Sequence, residues 1–291
     1  MDPFLSSRLA EAAAWVEEGL SSLGMYSDGT RLPAHCRYAL SAGGKRLRPF
    51  LVREACLALS GDPDRALPAG CSVEMVHTYS LVHDDLPSMD DDDFRRGLPT
   101  LHRRVGEGTA ILAGDRLLTE AFRTLAGTPG PPGRTGEMIL RLADASGAGR
   151  LVGGQYMDMF PPEAADKAWI TRMVSGKTAA LLRVSLELGA LAAGASMEVV
   201  DRLSKLGEEF GFLFQLTDDI LDVTGSKEEM GKAVGKDVSR GKWNPVTALG
   251  LSEAEAEARS RADRLSSGFM ELGGGWRAVS SLCLYLPRRR S

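Results

Sequence analysis

Two runs of aspartate carry the first chemical signal. One reads His83-Asp84-Asp85-Leu86-Pro87-Ser88-Met89-Asp90-Asp91-Asp92-Asp93, and the other Gln215-Leu216-Thr217-Asp218-Asp219-Ile220-Leu221-Asp222. Both close apolar stretches, so their carboxylates border apolar surface: Val76, Tyr79, Leu81 and Val82 precede the first, and Leu213, Phe214, Leu216, Ile220 and Leu221 surround the second. On a helix Asp218 and Asp222 stack on one face, with Asp219 about 100° round. Pro87 separates Asp84 from Asp90, so the first helix is expected to end there and a turn to return Asp90 toward the site. Solvated acidic faces are the simple alternative, at a cost of only about 0.2–0.5 kcal/mol per pair. Beside apolar surface, two such charges about 4 Å apart repel by about 4 kcal/mol at an effective dielectric near 20. A divalent cation relieves that load. Carboxylate oxygens without Cys or a fan of His select a hard ion, and Mg²⁺ keeps waters and takes phosphate oxygens as further ligands. The expectation is a magnesium-diphosphate site.

Phosphates need cations, and these occur in short, separated groups. Gly43-Gly44-Lys45-Arg46-Leu47-Arg48-Pro49 is one and Arg95-Arg96-Gly97, directly after the first acidic run, is another. Single lysines stand at Lys177, Lys232 and Lys242, each preceded by a glycine that would let backbone approach an anion. Arginine forks and lysine point charges both suit phosphate, although each group taken singly also reads as ordinary charged surface. Ser175-Gly176-Lys177-Thr178 is not a nucleotide P-loop, because that pattern requires glycine where Thr171 stands and a preceding strand. His77 and His83 lack the spacing of a helical metal pair, and either also fits as a core histidine.

The elements that must position these groups are helical. Leu9, Ala12, Ala13, Val16 and Leu20 recur along one helical face. Comparable runs cover 47–60, 67–86, 107–126, 135–150, 165–193, 197–223, 243–265 and 268–286, and no alternating β-branched pattern marks a strand. An all-α fold is expected. Gly61-Asp62-Pro63 and the stretch 127–133 read as interhelical loops, and Gly273-Gly274-Gly275 as a division of the last run. None is long enough for a domain linker and no repeat appears, so residues 1–291 read as one domain.

Composition narrows the function classes. With 43% hydrophobic and 25% charged residues the chain should fold fully, and a net charge of −4 offers no general attraction to nucleic acid or anionic lipid. Cys36, Cys56, Cys71 and Cys283 lie far apart without a CxxC pair, which favours buried free thiols over a disulfide or zinc framework. The N-terminus lacks the basic and then apolar segments of a secretory signal. The most apolar stretch, 178–194, is interrupted by Arg183 and Glu187. A cytoplasmic location without a membrane span is expected.

In order along the chain, the Gly43–Pro49 group, the Glu74–Asp90 segment, Arg95-Arg96-Gly97, Gly154-Gln155-Tyr156-Met157-Asp158, Gly176-Lys177-Thr178 and Asp218–Asp222 resemble the motifs of the trans-isoprenyl diphosphate synthases, and among them the short-chain members that form farnesyl or geranylgeranyl diphosphate. The resemblance covers nearly the whole chain. It implies the isoprenoid synthase fold, a single large helical bundle around a deep central cavity, and a homodimer. It further implies that Asp84, Asp85, Asp90, Asp218, Asp219 and Asp222 hold several Mg²⁺ ions on the diphosphate of an allylic substrate such as dimethylallyl or geranyl diphosphate. Arg95, Lys177 and Lys242 would contact that diphosphate with Lys232 close by, while Lys45, Arg48, His77 and Arg96 would hold isopentenyl diphosphate. Gln215, Thr178, Gln155 and Asp158 would be supporting polar residues. The implied reaction is head-to-tail condensation with loss of diphosphate, without a side-chain nucleophile.

Product length follows from geometry and resemblance together. The growing chain should run along the helix that presents Asp84, where Ser80 lies one turn above it on the same face and Tyr79 is adjacent. A tyrosine there can floor the cavity. Bacterial farnesyl-forming members look similar at these positions and share the inserted Pro87-Ser88, so a farnesyl product is expected, with geranylgeranyl the alternative and plain core packing the other reading of Tyr79. One departure is Trp243-Asn244-Pro245, where the family commonly has Thr-Tyr-Pro one residue after Lys242. Tyr285 and Arg288–Arg290 either close over the isopentenyl site or form a frayed tail. A terpene cyclase of the same fold class would need neither the second acidic motif nor a pocket with Lys45, Arg48 and Arg96. A non-catalytic regulatory subunit usually loses one acidic motif or its arginines, and both motifs are intact here.

Overall fold

The computed structural model describes residues 1–23, 29–130, 133–224 and 244–289. Helix α1 (Pro3–Ser22) opens with proline at its first turn, where a missing N–H costs nothing, and Asp2 Oδ1 accepts the Phe4 N–H at 3.2 Å. Its apolar stripe buries Leu5, Ala12, Val16 and Leu20. Helices α2 (Leu32–Ser41), α3 (Leu47–Ala58) and α4 (Pro63–Asp84) follow, the last capped by Asp62, whose carboxylate accepts the Asp64 N–H at 3.0 Å. After α5 (Leu101–Val105) come α6 (Glu107–Ala126), α7 (Arg134–Ser146), α8 (Leu151–Met159) and α9 (Lys167–Val174). A π-helical turn, Ser175–Ala179, joins α9 to α10 (Ala180–Ala192), and α11 (Met197–Thr224) carries the second acidic run. The chain ends in α12 (Pro245–Leu249), α13 (Leu251–Met270) and α14 (Arg277–Tyr285).

Helices α4 and α10 are buried on nearly every face, the pattern of helices enclosed by others rather than lying on a surface. They pack on each other and on α3, with α6 against α4 and α11 against α10. One apolar cluster runs from Leu5 to Leu286, and a small one holds Ile170, Met173 and Val174. The all-α expectation stands, with differences in detail. Helices α2, α5 and α8 went unread because helices this short give little periodicity: α2 buries only Pro33, Cys36 and Leu40, and α8 only Leu151 and Gly154. Phe94–Arg95 and Leu98–Pro99 pair as two antiparallel strands, β1 and β2, too short to show alternation. Their turn has Arg96 at φ 53° and Gly97 at φ 78°, the backbone twist that closes a two-residue hairpin. The run 243–265 is divided at Gly250 (φ 81°), and α13 continues to Met270, so the next break is the expected one at Gly273–Gly275. All four cysteines are buried free thiols, and burial pushes Cys71 up to about 12. Among the described residues no helix is long and apolar enough to cross a membrane.

Candidate active site

The first acidic run sits where α4 must stop. Pro87 cannot continue the helix, and the chain folds back instead: the Asp90 N–H donates to the Asp84 carbonyl at 2.8 Å and the Met89 N–H to the Leu86 carbonyl at 2.9 Å. Asp90 thus returns toward the site, as expected. Asp84 faces a large cavity, whereas Asp85 is only 4% exposed and points to Arg95, whose Nε donates to Asp85 Oδ1 at 2.7 Å. Burial, with the neighbouring charges of Asp90 and Asp85 and against the pull of Lys177 and Arg95, raises the Asp84 carboxyl to about 6.

The second run lies in the last two turns of α11. Asp218 faces the same cavity as Asp84. Asp219 is buried and accepts from Gln215 Nε2 at 2.7 Å, while Gln215 Oε1 accepts from Thr178 at 2.6 Å. Arg289, near the C-terminus, donates to Asp218 Oδ1 and to Thr217 Oγ1, the latter at 2.9 Å, with its guanidinium over the Phe214 ring. Of the two readings of the tail, the structure supports closure at Arg289, and it closes on the second acidic run. Burial raises Asp218 and Arg289 opposes the rise.

The cations gather in the same cavity, with Lys45 and Arg48 near enough to Asp218 to feel its charge. Gly43 (φ 78°) and Gly44 (φ 129°) let the loop before α3 turn sharply, and Arg96 lies flat against it with its guanidinium donating to the Gly43 carbonyl. A Cβ on Gly44 would overlap that guanidinium. Arg46, held at φ 45°, turns inward instead, donating to Glu74 at 2.7 Å and to the Leu40 carbonyl at 2.6 Å. Lys45, Arg48 and Arg96 line the cavity with His77, and the Arg46–Glu74 pair borders it as well. Burial lowers Arg48 to about 10, and burial with the charges of Arg48 and Arg96 holds His77 well below its ordinary value, so it is a neutral imidazole. Glu74 and Arg46 were not singled out in advance. Glu74 stands one helical turn before His77, and that i, i+3 pairing was the available signal.

Lys177 reaches the cavity from the π-helical turn, where the extra residue per turn rotates its side chain out of the α9–α10 register. Its Nζ donates to Asp158 Oδ2 at 2.5 Å. The turn can lie against α8 because Gly154 and Gly176 meet there, and a Cβ on Gly176 would come 2.6 Å from the Arg150 carbonyl.

The cavity has a volume of about 1220 Å³. Asp84, Asp218 and the cations are among its polar lining residues, and Tyr79, Leu81, Leu151, Leu181 and Phe214 among its apolar ones. Of the residues anticipated, Lys45, Arg48, His77, Tyr79, Ser80, Asp84, Arg95, Arg96, Lys177, Thr178, Gln215 and Asp218 line it. Asp85, Asp90, Asp219 and Asp222 are not among the lining residues, Gln155 is, and Lys232 and Lys242 lie outside the described residues.

The donor set fits a hard cation. Both acidic runs stand at the C-terminal ends of their helices, where the dipole disfavours anions, and Asp222 Oδ2 is buried without a hydrogen-bond partner among the described residues. No three acidic, His or Cys side chains among the described residues already converge on one point. A cation here would therefore take further ligands from a bound anion and water, which is the habit of Mg²⁺.

Comparison with known proteins agrees with this geometry. Residues 30–268 match the family described as Polyprenyl synthetase. The chain is 39% identical over 298 residues to geranylgeranyl pyrophosphate synthase 7, chloroplastic, of Arabidopsis thaliana, covering 99% of this chain and 84% of that protein. It is 44% identical over 225 residues to farnesyl diphosphate synthase of Geobacillus stearothermophilus, covering 75% of each. Among solved structures, the geranyltransferase from Helicobacter pylori complexed with magnesium and isoprenyl diphosphate superposes with a TM-score of 0.84 at 31% identity, over 99% of this chain and 97% of that one.

Proposed function

The chain belongs to the polyprenyl synthetase family, the trans-isoprenyl diphosphate synthases, and is a prenyltransferase; from that premise we propose that it condenses isopentenyl diphosphate head-to-tail with dimethylallyl and geranyl diphosphates, giving farnesyl diphosphate and inorganic diphosphate. The observation that carries this reading is that Asp84 of α4 and Asp218 of α11 line one cavity with Lys45, Arg48 and Arg96, and that the apolar residues Tyr79, Leu81, Leu151, Leu181 and Phe214 line it too.

In this reading Asp84, Asp85, Asp90, Asp218, Asp219 and Asp222 hold Mg²⁺, which when bound supplies Lewis-acid neutralisation of the departing diphosphate. Arg95 and Lys177 meet the allylic diphosphate as preorganised cations, placed where charge develops as the C–O bond breaks. Lys232 and Lys242 share that role by family resemblance. Lys45, Arg48 and Arg96 hold the second diphosphate, and neutral His77 serves it as a hydrogen-bonding group. The apolar wall keeps water from the allylic cation until the alkene attacks, and the departed diphosphate accepts the proton that completes the step. Tyr79, 6% exposed at the cavity wall, floors the space left for the growing chain.

The relative named as a geranylgeranyl synthase supports a second reading, a product one isoprene unit longer. The proposal includes a homodimer and a cytoplasmic location, the latter supported by four buried free thiols. Incubating purified protein with Mg²⁺, isopentenyl diphosphate and each allylic primer, then sizing the products, tests all of it but the assembly and location. Farnesyl diphosphate from both primers is expected. A dominant geranylgeranyl product replaces the first reading with the second, and no turnover by the protein alone favours a regulatory subunit.

A further inference from the structure

The cavity wall between α4 and α6 contains a contact that the proposed reaction does not use. Tyr79 and His83 lie one turn apart on α4, and both line the cavity. Their rings meet edge to face, with centroids 5.7 Å apart and planes at 84°, a favoured aromatic arrangement. The His83 ring is tethered on its other side, where Nε2 lies 3.1 Å from the Ile111 carbonyl of α6. That carbonyl can only accept, so Nε2 carries the proton.

Beneath the imidazole lies Gly114, also on α6. A Cβ there would overlap the ring, reaching 2.5 Å from Cδ2 and 2.9 Å from Cε1. Gly114 has ordinary helical backbone, outside the left-handed region where glycine is needed. A mid-helix glycine weakens a helix relative to alanine, so conformation does not explain this one. Room for His83 does.

We propose that His83, seated on Gly114 and tethered to Ile111, is a positioning residue for product length: its ring contact holds the Tyr79 ring in place so that the floor does not yield to a longer chain. Without it, Tyr79 can swing toward the space over Gly114 and the cavity deepens. The inference rests on Tyr79 flooring the product site and adds the residues that hold it there.

The test measures the ratio of geranylgeranyl to farnesyl diphosphate, with melting temperature followed in parallel, for the parent, Tyr79→Ala, His83→Ala, His83→Phe, Gly114→Ala and the Tyr79→Ala/His83→Ala pair. His83→Ala is expected to raise the ratio roughly tenfold, the discrimination that a small change of apolar pocket volume commands. Gly114→Ala should raise it as well, although it removes no cavity side chain and favours the helix, and it serves in place of His83→Ala if that variant does not fold. His83→Phe restores a ring edge and should return the ratio toward the parent. The double variant should match Tyr79→Ala alone, because His83 acts through Tyr79. If Tyr79→Ala lengthens the product while His83→Ala and Gly114→Ala do not, the positioning role is wrong and the floor stands. An additive double variant also overturns it. If Tyr79→Ala leaves the product unchanged, or the parent makes mainly geranylgeranyl diphosphate, the floor reading fails and this inference falls with it.

Discussion

Asp84 stands at the negative end of a helix, beside Asp85 and Asp90, in a cleft that removes water from it. Burial is the largest reason that its carboxyl rises to about 6. The sign of the consequence follows from linkage: a pKa higher in the folded than in the unfolded state means that the folded state binds the proton more tightly. Ionised Asp84 therefore costs stability above about pH 6, and the cost fades as pH falls toward its ordinary value of 3.8. Asp84→Asn should raise the melting temperature of the metal-free protein near neutral pH and lose that advantage in acid. An equal gain at both pH values would mean that packing, rather than charge, is responsible. The same carboxylate that burdens the empty fold is the one a cation would engage, so the variant should also lose prenyl transfer.

At the scale of elements, the placement of Lys177 depends on two helices approaching more closely than side chains allow. Gly154 on α8 and Gly176 in the π-helical turn meet backbone to backbone, and a Cβ on Gly154 would overlap the Lys177 backbone. Overpacking of this kind forces backbone shifts costing about 1–3 kcal/mol. Gly154→Ala is expected to destabilise the protein by about 2 kcal/mol in denaturant unfolding, and to reduce turnover beyond what the lost stability explains, because the turn carrying Lys177 must move. Full turnover in a destabilised variant would show that Lys177 does not need this seat. The loop before α3 works by a related device. Arg46, sandwiched in sequence between cavity-facing Lys45 and Arg48, is spent on the buried pair with Glu74, at a 2.7 Å hydrogen bond, and anchors the cations on either side.

For the whole molecule, the helices α6 and α7 present large apolar side chains to solvent. Ile111 and Leu112 on α6 and Leu140 on α7 are each at least 42% exposed and lie outside the cavity lining, whereas Val152 and Tyr156 on α8 are exposed because they line the cavity. The homodimer proposal assigns a second copy of this chain to Ile111, Leu112 and Leu140. Leu112→Glu combined with Leu140→Glu should convert dimers to monomers in light scattering. A parent that is already monomeric, or a variant that stays dimeric, would remove this face from the proposal.

What the sequence determined alone was the local chemistry and the elements that carry it. Helical periodicity exposed most of the helices, since a stripe buried on one side repeats with the turn, and proline at position 87 announced both the end of α4 and the return of Asp90. The residue types were sufficient to read a cation-and-diphosphate site. They left α2, α5, α8 and the β1–β2 pair unread, because elements that short leave too few repeats to reveal a period. Tertiary structure alone decided which charges meet. Arg95 lies on Asp85, Lys177 on Asp158, and Arg289 reaches Asp218 across 71 residues. It also decided that Gly114 makes room for His83 and that His83 meets Tyr79. The reason is physical: spacing along a chain sets which groups share a helix face, whereas contact across helices depends on how closely two packed surfaces approach, and that closeness is set by every side chain between them.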